Sequence, residues 1–368
     1  MHRPTRYAQI MVRFTVLASG SKGNSTVVSG GRTRILVDCG LSCREIFRRM
    51  RLAGEEPETL DAIVITHEHS DHVGGVAVTA RKLNIPVYFT EGTHRAWMRW
   101  LTPRRQMTYA QWLEQTRRQA AERQAEADAA IEEGEQDEND LIEAAGALSE
   151  ERNAGAEARV DHGALAARLK PCADTKQDSP TGPASGNDSP AEPPSRKEDP
   201  TWLPAVEYFT AGEPFEIGDI RISPFTIPHD AADPVGFVFG AEGVRMGFAT
   251  DLGYIPPNVK AQLQGVDLLL LESNHDLEML RDGPYPWQVK QRVLSRVGHL
   301  SNEAAAGFLE SGYDGQAAYV ILAHLSESNN LPELARVTAE RALNGRASLL
   351  ANRLLVASQH EPLSSIFF

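Results

Sequence analysis

The sequence predicts an α+β protein: an αββα sandwich of two mixed β-sheets packed face to face and flanked by helices. Three observations carry this. Short β-rich apolar runs dominate both ends of the chain, and helical stretches lie between them. A sheet that is apolar on both faces needs a second sheet on one side and helices on the other. Hydrophobic content of 41%, with 7% aromatics, is enough for a real core.

The elements follow in order. Arg13 to Ala18 alternates as a strand, and Ser19 to Ser25 is a Gly/Ser turn cluster. Thr26 to Ser29 and Ile35 to Val37 are strands separated by Gly30-Gly31. Leu41 to Arg51 is helical, with an apolar stripe of Ile46, Phe47 and Met50. Asp61 to Ile65 is a short buried strand, Val73 to Leu83 a helix, and Pro86 to Phe89 a strand. In the second half, strands are expected at Glu207 to Phe209, Ile220 to Phe225, Gly236 to Phe239, Met246 to Ala249, Val266 to Leu271 and Ala318 to Ala323. Helices are expected at Trp287 to Val297, Asn302 to Glu310 and Leu331 to Leu343.

The stretch 103–200 differs in character. Tyr109 to Glu133 is rich in Ala, Glu, Arg and Gln, helical by propensity, with little apolar face. Residues 131–143 are acidic, and 171–204 hold eight prolines among Ser, Gly, Asp and Glu. Such composition offers too little burial to offset chain entropy. The reading is a catalytic domain of 12–102 and 201–368, interrupted by a charged helical and disordered insertion at 103–200. The insertion acts as a solvated tether or as an arm for a protein partner. Residues 1–11 are expected to be an extension.

The 368 residues contain no run of about 18 apolar residues, so no membrane span is expected. The N-terminus has basic residues without an apolar segment behind them, unlike a signal peptide. Three cysteines, Cys39, Cys43 and Cys172, are too few for a disulfide framework and point to a reducing, cytoplasmic setting. The net charge of -13 is unlike that of most nucleic-acid binders. About -9 of it lies in residues 103–200. Bound divalent ions would in any case dominate the local field of a metal site.

The strongest chemical signal is Thr66-His67-Glu68-His69-Ser70-Asp71-His72, directly after an apolar strand. His67 and His69 alternate on an extended segment and can point the same way. Imidazole and carboxylate suit zinc, manganese and iron where no thiolate is offered. Asp38, His229, Asp251 and His324 each end or follow an apolar strand.

With H-x-H-x-D-H followed in order by these residues, the chain resembles the metallo-β-lactamase superfamily. The resemblance implies two divalent metal ions, zinc or manganese or iron. His67, His69, His229 and Asp251 would hold one, and Asp71, His72, His324 and Asp251 the other. It implies that Asp38 orients a ligand through a hydrogen bond. The 73 residues from Asp251 to His324 are too few for the extra domain of the ribonuclease J type. The 22 from His229 to Asp251 are too few for the arm of ribonuclease Z. LASGSKGNS, HDAADPVGFVF, LESNHDLEML and LAHLSESNN resemble the YycJ (WalJ) group. That group implies a 5′-to-3′ exonuclease on double-stranded DNA, tied to mismatch repair. The alternative is a small-molecule hydrolase (a lactonase, thioesterase or cyclic-phosphate diesterase), which the acidic balance favours slightly.

Several residues outside the ligand set gain a reading. His299 resembles a histidine that contacts the scissile phosphate or protonates the leaving oxygen, and reads also as a helix cap. Glu272 and His275 read as support for the site or as plain structure. The SGSKGNS turn reads as a phosphate-binding nest or as a hairpin turn. Arg281, Lys290, Arg292 and Arg296 read as phosphate contacts or as a solvated helix. Oligomeric state is not legible in the sequence.

Overall fold

The architecture was taken from a computed structural model that describes residues 11–102, 113–114, 116–118, 199–343 and 353–368. The chain divides into two units, 1–103 with 194–368, and 104–193. Of the second unit only residues 113, 114 and 116–118 are described, and they are helical. The expected extension at 1–11, apart from Met11, and nearly all of the expected insertion lie outside the described residues.

The first unit is built on two seven-stranded sheets. One contains β1 (Arg13–Ala18), β2 (Ser25–Ser29), β3 (Arg34–Val37), β4 (Ala62–Val64), β5 (Pro86–Phe89), β6 (Ala205–Tyr208) and β14 (Ile366–Phe367). Its order is β14-β1-β2-β3-β4-β5-β6. The other contains β7 (Phe215–Ile217), β8 (Ile220–Thr226), β9 (Val235–Ala241), β10 (Val244–Ala249), β11 (Leu268–Glu272), β12 (Tyr319–Ala323) and β13 (Arg353–Val356). Its order is β13-β12-β11-β10-β9-β8-β7. Pairing is antiparallel from β14 to β3 and parallel from β3 to β6. The second sheet repeats this plan, antiparallel from β7 to β10 and parallel from β10 to β13. β3 and β10 therefore hold the same place in their sheets.

Helices α1 (Cys43–Leu52), α2 (Ser70–Val73), α3 (Val76–Leu83) and α4 (Glu91–Leu101) follow strands of the first sheet. After strands of the second come α5 (Pro257–Gln262), α6 (Leu277–Asp282), α7 (Trp287–Val293), α8 (Asn302–Ser311) and α9 (Pro332–Leu343). Three apolar layers hold the stack. Phe14, Val28, Ile35, Val64, Phe237, Phe239, Met246 and Leu270 fill the space between the sheets. Ile46, Met50, Val76 and Trp97 cover the outer face of the first sheet. Val259, Phe308, Leu309 and Ala335 do so for the second. Strands covered on both sides read as continuous apolar runs such as Leu268–Leu271, because parallel central strands have no solvated face.

Two expectations are corrected. The helix expected at Val73 to Leu83 is two helices, broken at Gly74-Gly75. A side chain at Gly75 would place its Cβ 2.0 Å from the carbonyl of Leu41, so the chain turns where only glycine fits. The helix expected to reach Val297 ends at Val293. Strands β7, β13 and β14 and helices α4, α5 and α6 were not foreseen. The three strands sit at sheet edges and are partly exposed, so none carries the fully buried apolar run that marks β4 or β11.

Candidate metal centre

The parallel strands end at one rim, and the sequence places its polar residues there. Asp38 follows β3, and Thr66, His67 and His69 follow β4. Asp71 and His72 begin α2. Asp251 follows β10, Glu272 ends β11, and His324 follows β12. His229 lies in the loop between β8 and β9, and His299 just before α8. Asp38, Asp251 and His324 adopt left-handed φ values of 58°, 61° and 56°. These are costly for non-glycine residues, at roughly 1–3 kcal/mol each. Packing holds them there so that each side chain leaves its strand turned toward the rim.

Two nitrogen-rich clusters result. In the first, His69 Nδ1 lies 3.1 Å from His67 Nε2 and 3.2 Å from His229 Nε2. His229 Nδ1 is 3.2 Å from the carbonyl of Gly298. A carbonyl only accepts, so Nδ1 carries the proton and Nε2 presents its lone pair inward. In the second, His72 Nδ1 donates to Asp38 Oδ2 at 2.8 Å, and His324 Nδ1 donates to Glu272 Oε1 at 3.0 Å. The opposite nitrogens face carboxylates: His72 Nε2 lies 3.4 Å from Asp251 Oδ2, and His324 Nε2 3.4 Å from Asp71 Oδ2. Asp251 Oδ2 is buried without a well-formed hydrogen bond. Donor atoms of His67, His69 and His229 lie within 4.8 Å of one another, as do those of Asp71, His72 and His324. Asp251 groups with His67 and His72, and also with Glu272, His299 and His324. Convergent lone pairs and an orphaned buried carboxylate oxygen fit divalent cations, and the all N/O donor set is one that zinc and manganese accept.

Electrostatics point the same way. Burial works against a charge on His72, yet Asp251, Asp38 and Asp71 raise its pKa well above the usual imidazole value. His324 is pushed up to about 10: Asp251, Asp71 and Glu272 overcome its burial. Burial would raise Asp251, but His324 and His72 hold it well below the carboxylate range. His67, buried and beside His72, is held well below 6.5. The centre is a dense negative field lined with imidazoles, which favours positive charge.

Asp38 is fully buried. It accepts from the Thr66 N–H at 2.9 Å and from Thr66 Oγ1 at 2.9 and 3.0 Å, as well as from His72. Glu272 is equally buried and serves four partners. Its Oε1 accepts from His299 Nδ1 at 2.7 Å and from His324, and its Oε2 from the N–H groups of Leu252 at 2.8 Å and Leu300 at 3.3 Å. Burial opposes this charge, but His299 and His324 bring its pKa down to about 2. The ring of His275 does not join the centre: both its nitrogens are buried without hydrogen-bond partners. His299 stands at the edge of an open cavity of about 490 Å³ that it lines with Asp71, Asp251, His324, Arg292 and Trp100.

The turn at Ser19 to Ser25 is a connection between β1 and β2 and not a phosphate nest. The N–H of Gly20 goes to Asn24 Oδ1, that of Lys22 to Gln359 Oε1, that of Gly23 to the Gly20 carbonyl, and that of Asn24 to the Asp71 carbonyl. Asn24 Nδ2 instead reaches Asp71 Oδ2 at 3.3 Å and His72 Nε2 at 3.1 Å. The basic stretch also disperses. Arg281 pairs with Asp282, Lys290 donates to the Arg281 carbonyl, and Arg296 stacks on Tyr254. Of these four, only Arg292, paired with Asp230, lines the cavity. Sequence reasoning missed Thr66, Asn24, Asp230 and Trp100. Thr66, Asn24 and Asp230 sat inside motifs already singled out, whereas nothing local marked Trp100.

The chain is 28% identical over 334 residues to Exodeoxyribonuclease YycJ of Bacillus anthracis, covering 90% of this chain and 89% of that protein. It is 29% identical over 331 residues to Exodeoxyribonuclease WalJ of Streptococcus pneumoniae serotype 2 (strain D39 / NCTC 7466), covering 90% and 88%. The structure of YhfI from Bacillus subtilis, described as a metallo-beta-lactamase fold protein, superposes with a TM-score of 0.53. At 12% identity over 96% of this chain and 99% of that one, this likeness speaks to the fold alone. Residues 18–289 match the family described as the Metallo-beta-lactamase superfamily. The chain belongs to the metallo-β-lactamase superfamily and is a metal-dependent hydrolase of it.

Proposed function

We propose that the protein is a dinuclear phosphodiesterase that degrades double-stranded DNA from the 5′ end. The observation that carries this reading is the position of Asp251, which groups with His67 and His72 on one side and with Glu272, His299 and His324 on the other. His67, His69, His229 and Asp251 would hold one divalent cation; Asp71, His72, His324 and Asp251 would hold the second. When bound, the pair supplies Lewis acidity, polarising a phosphoryl oxygen and bringing the pKa of water toward neutrality.

The chain's own residues do the rest. Asp38 fixes the tautomer of His72, and Glu272 fixes those of His299 and His324. Asp71 faces the cavity and accepts the proton of the attacking water. His299 commits its Nδ1–H to Glu272, whose carboxylate outweighs burial and raises the imidazole pKa, so as the imidazolium it gives its Nε2 proton to the leaving oxygen. The names of the relatives, exodeoxyribonucleases at 28 and 29% identity over nine-tenths of this chain, support DNA as the substrate. Repair of cytoplasmic DNA is the setting this reading gives it.

The test is stepwise release of nucleotides from a labelled duplex by purified protein with manganese, beside His67→Ala. Release by wild type alone supports the reading. Failure to cut duplex, single strand or RNA, with metal bound, moves the assignment to a small ester or thioester.

A further inference from the structure

Helix α4 carries two tryptophans three residues apart, with opposite fates. Trp97 is 1% exposed and packs into the layer over the first sheet, beside Phe89 and His94. Trp100 is 59% exposed and turns to the mouth of the cavity that holds the metal-ligand candidates. Among the described residues lining that cavity it is the one apolar side chain; all others are serine, histidine or charged. Arg292, from α7 on the other half of the sandwich, is the one arginine or lysine among them. Asp230, next in sequence to His229, holds its guanidinium in place. One aromatic plane, one guanidinium and a carboxylate–imidazole cluster thus border a single recess.

These three surfaces match the three parts of a strand end. A base offers a π-face for an aromatic ring, and base–aromatic stacking tolerates any sequence because every base has such a face. A phosphate takes a guanidinium. A scissile phosphodiester takes the metal cluster. The recess, about 490 Å³, is within the roughly 300–1,000 Å³ of small-molecule sites. That is room for a nucleotide unit and not for a duplex.

We propose that Trp100 is a positioning residue that stacks the base of an unpaired terminal nucleotide, with Arg292 beside a neighbouring phosphate. The duplex stays outside and only its frayed end enters. This rests on the phosphodiesterase reading above and deepens it. Terminal pairs must open before cleavage, so a mismatched or A·T end is cut faster than a G·C end.

The test compares full-length wild type, Trp100→Ala and Trp100→Phe on duplexes with a normal or an abasic 5′-terminal nucleotide. Methyl p-nitrophenyl phosphate serves as a phosphodiester without a base. Trp100→Ala should raise KM for the normal end about 5- to 140-fold, from the energy of one stacked base, while kcat moves much less. Trp100→Phe should recover most of the loss. On the abasic end, wild type should fall to the level of Trp100→Ala. A wild-type KM in Trp100→Ala, or an equal loss on normal and abasic ends, overturns the stacking role and leaves the nuclease reading standing. Wild type that cleaves methyl p-nitrophenyl phosphate but no DNA or RNA overturns both.

Discussion

Asp38 and Asp251 occupy the same position in the two halves of the sandwich. Each is the first or second residue after the strand where its sheet changes from antiparallel to parallel pairing, β3 and β10. Each is left-handed, at φ 58° and 61°, and each is buried. Their side chains meet His72 from either side: Asp38 Oδ2 is 2.8 Å from Nδ1, and Asp251 Oδ2 is 3.4 Å from Nε2. One repeated backbone device therefore supplies both the carboxylate that orients this imidazole and the carboxylate proposed to share a metal with it.

The two aspartates should separate on substitution. Asp251→Ala is expected to lose at least one equivalent of metal and nearly all turnover while the far-UV circular dichroism stays native. Asp38→Asn, which keeps a residue tolerant of left-handed backbone, should bind metal about 10–100-fold more weakly. Metal content after dialysis against a graded chelator reads both. Wild-type activity in Asp251→Ala would remove it from the bridge.

Glu272 and His299 should also differ, although they share a 2.7 Å hydrogen bond. His299→Ala is expected to keep its metal and lose about 10²–10⁴-fold in kcat, the usual contribution of a positioned acid. Glu272→Ala unties His324 as well, and leaves the Leu252 and Leu300 N–H groups buried without an acceptor. It should lose both metal affinity and thermal stability. Equal metal loss in the two variants would make His299 a structural residue.

Gly40 is fixed by contact. A Cβ there would lie 1.7 Å from the carbonyl oxygen of Asp71, and the Asn24 and Cys39 N–H groups bond the carbonyls of Asp71 and His72 at 2.7 Å. Gly40→Ala must push the His-rich turn off this ledge. The expected result is a loss of at least about 1–3 kcal/mol, as for overpacking, with metal loss from the Asp71–His72 side. Calorimetry with metal analysis checks it.

Burial pushes the Cys39 thiol up to about 12, against a hydrogen bond to Thr79. An acid raised this far stays protonated through neutral and mildly alkaline pH. In native protein at pH 8, Cys39 should resist iodoacetamide, and it should react once the chain is unfolded. Labelling followed by peptide mapping decides it.

Removing residues 105–198 should leave metal content unchanged. Chain re-entry is anchored within the first unit, where the Arg81 guanidinium donates to the carbonyls of Asp199, Pro200 and Trp202 at 2.8 to 2.9 Å. A deletion variant that no longer binds metal would show that the segment supports the site.

By itself, the sequence determined the sandwich, its central strands, and which side chains could ligate metal. Those signals are local. Leu268–Leu271 is an apolar run because both faces are covered, and His67 to His72 hold their donors within one turn of chain. Only the tertiary structure decided which partner each donor meets. Glu272 serves His299 and His324 across separations of 27 and 52 residues, and the Arg292–Asp230 pair spans 62. The fate of the basic stretch and the contrast between Trp97 and Trp100 were settled the same way. Hydrogen bonding and burial at the rim depend on which loops the two sheets bring together, and periodicity carries no record of that.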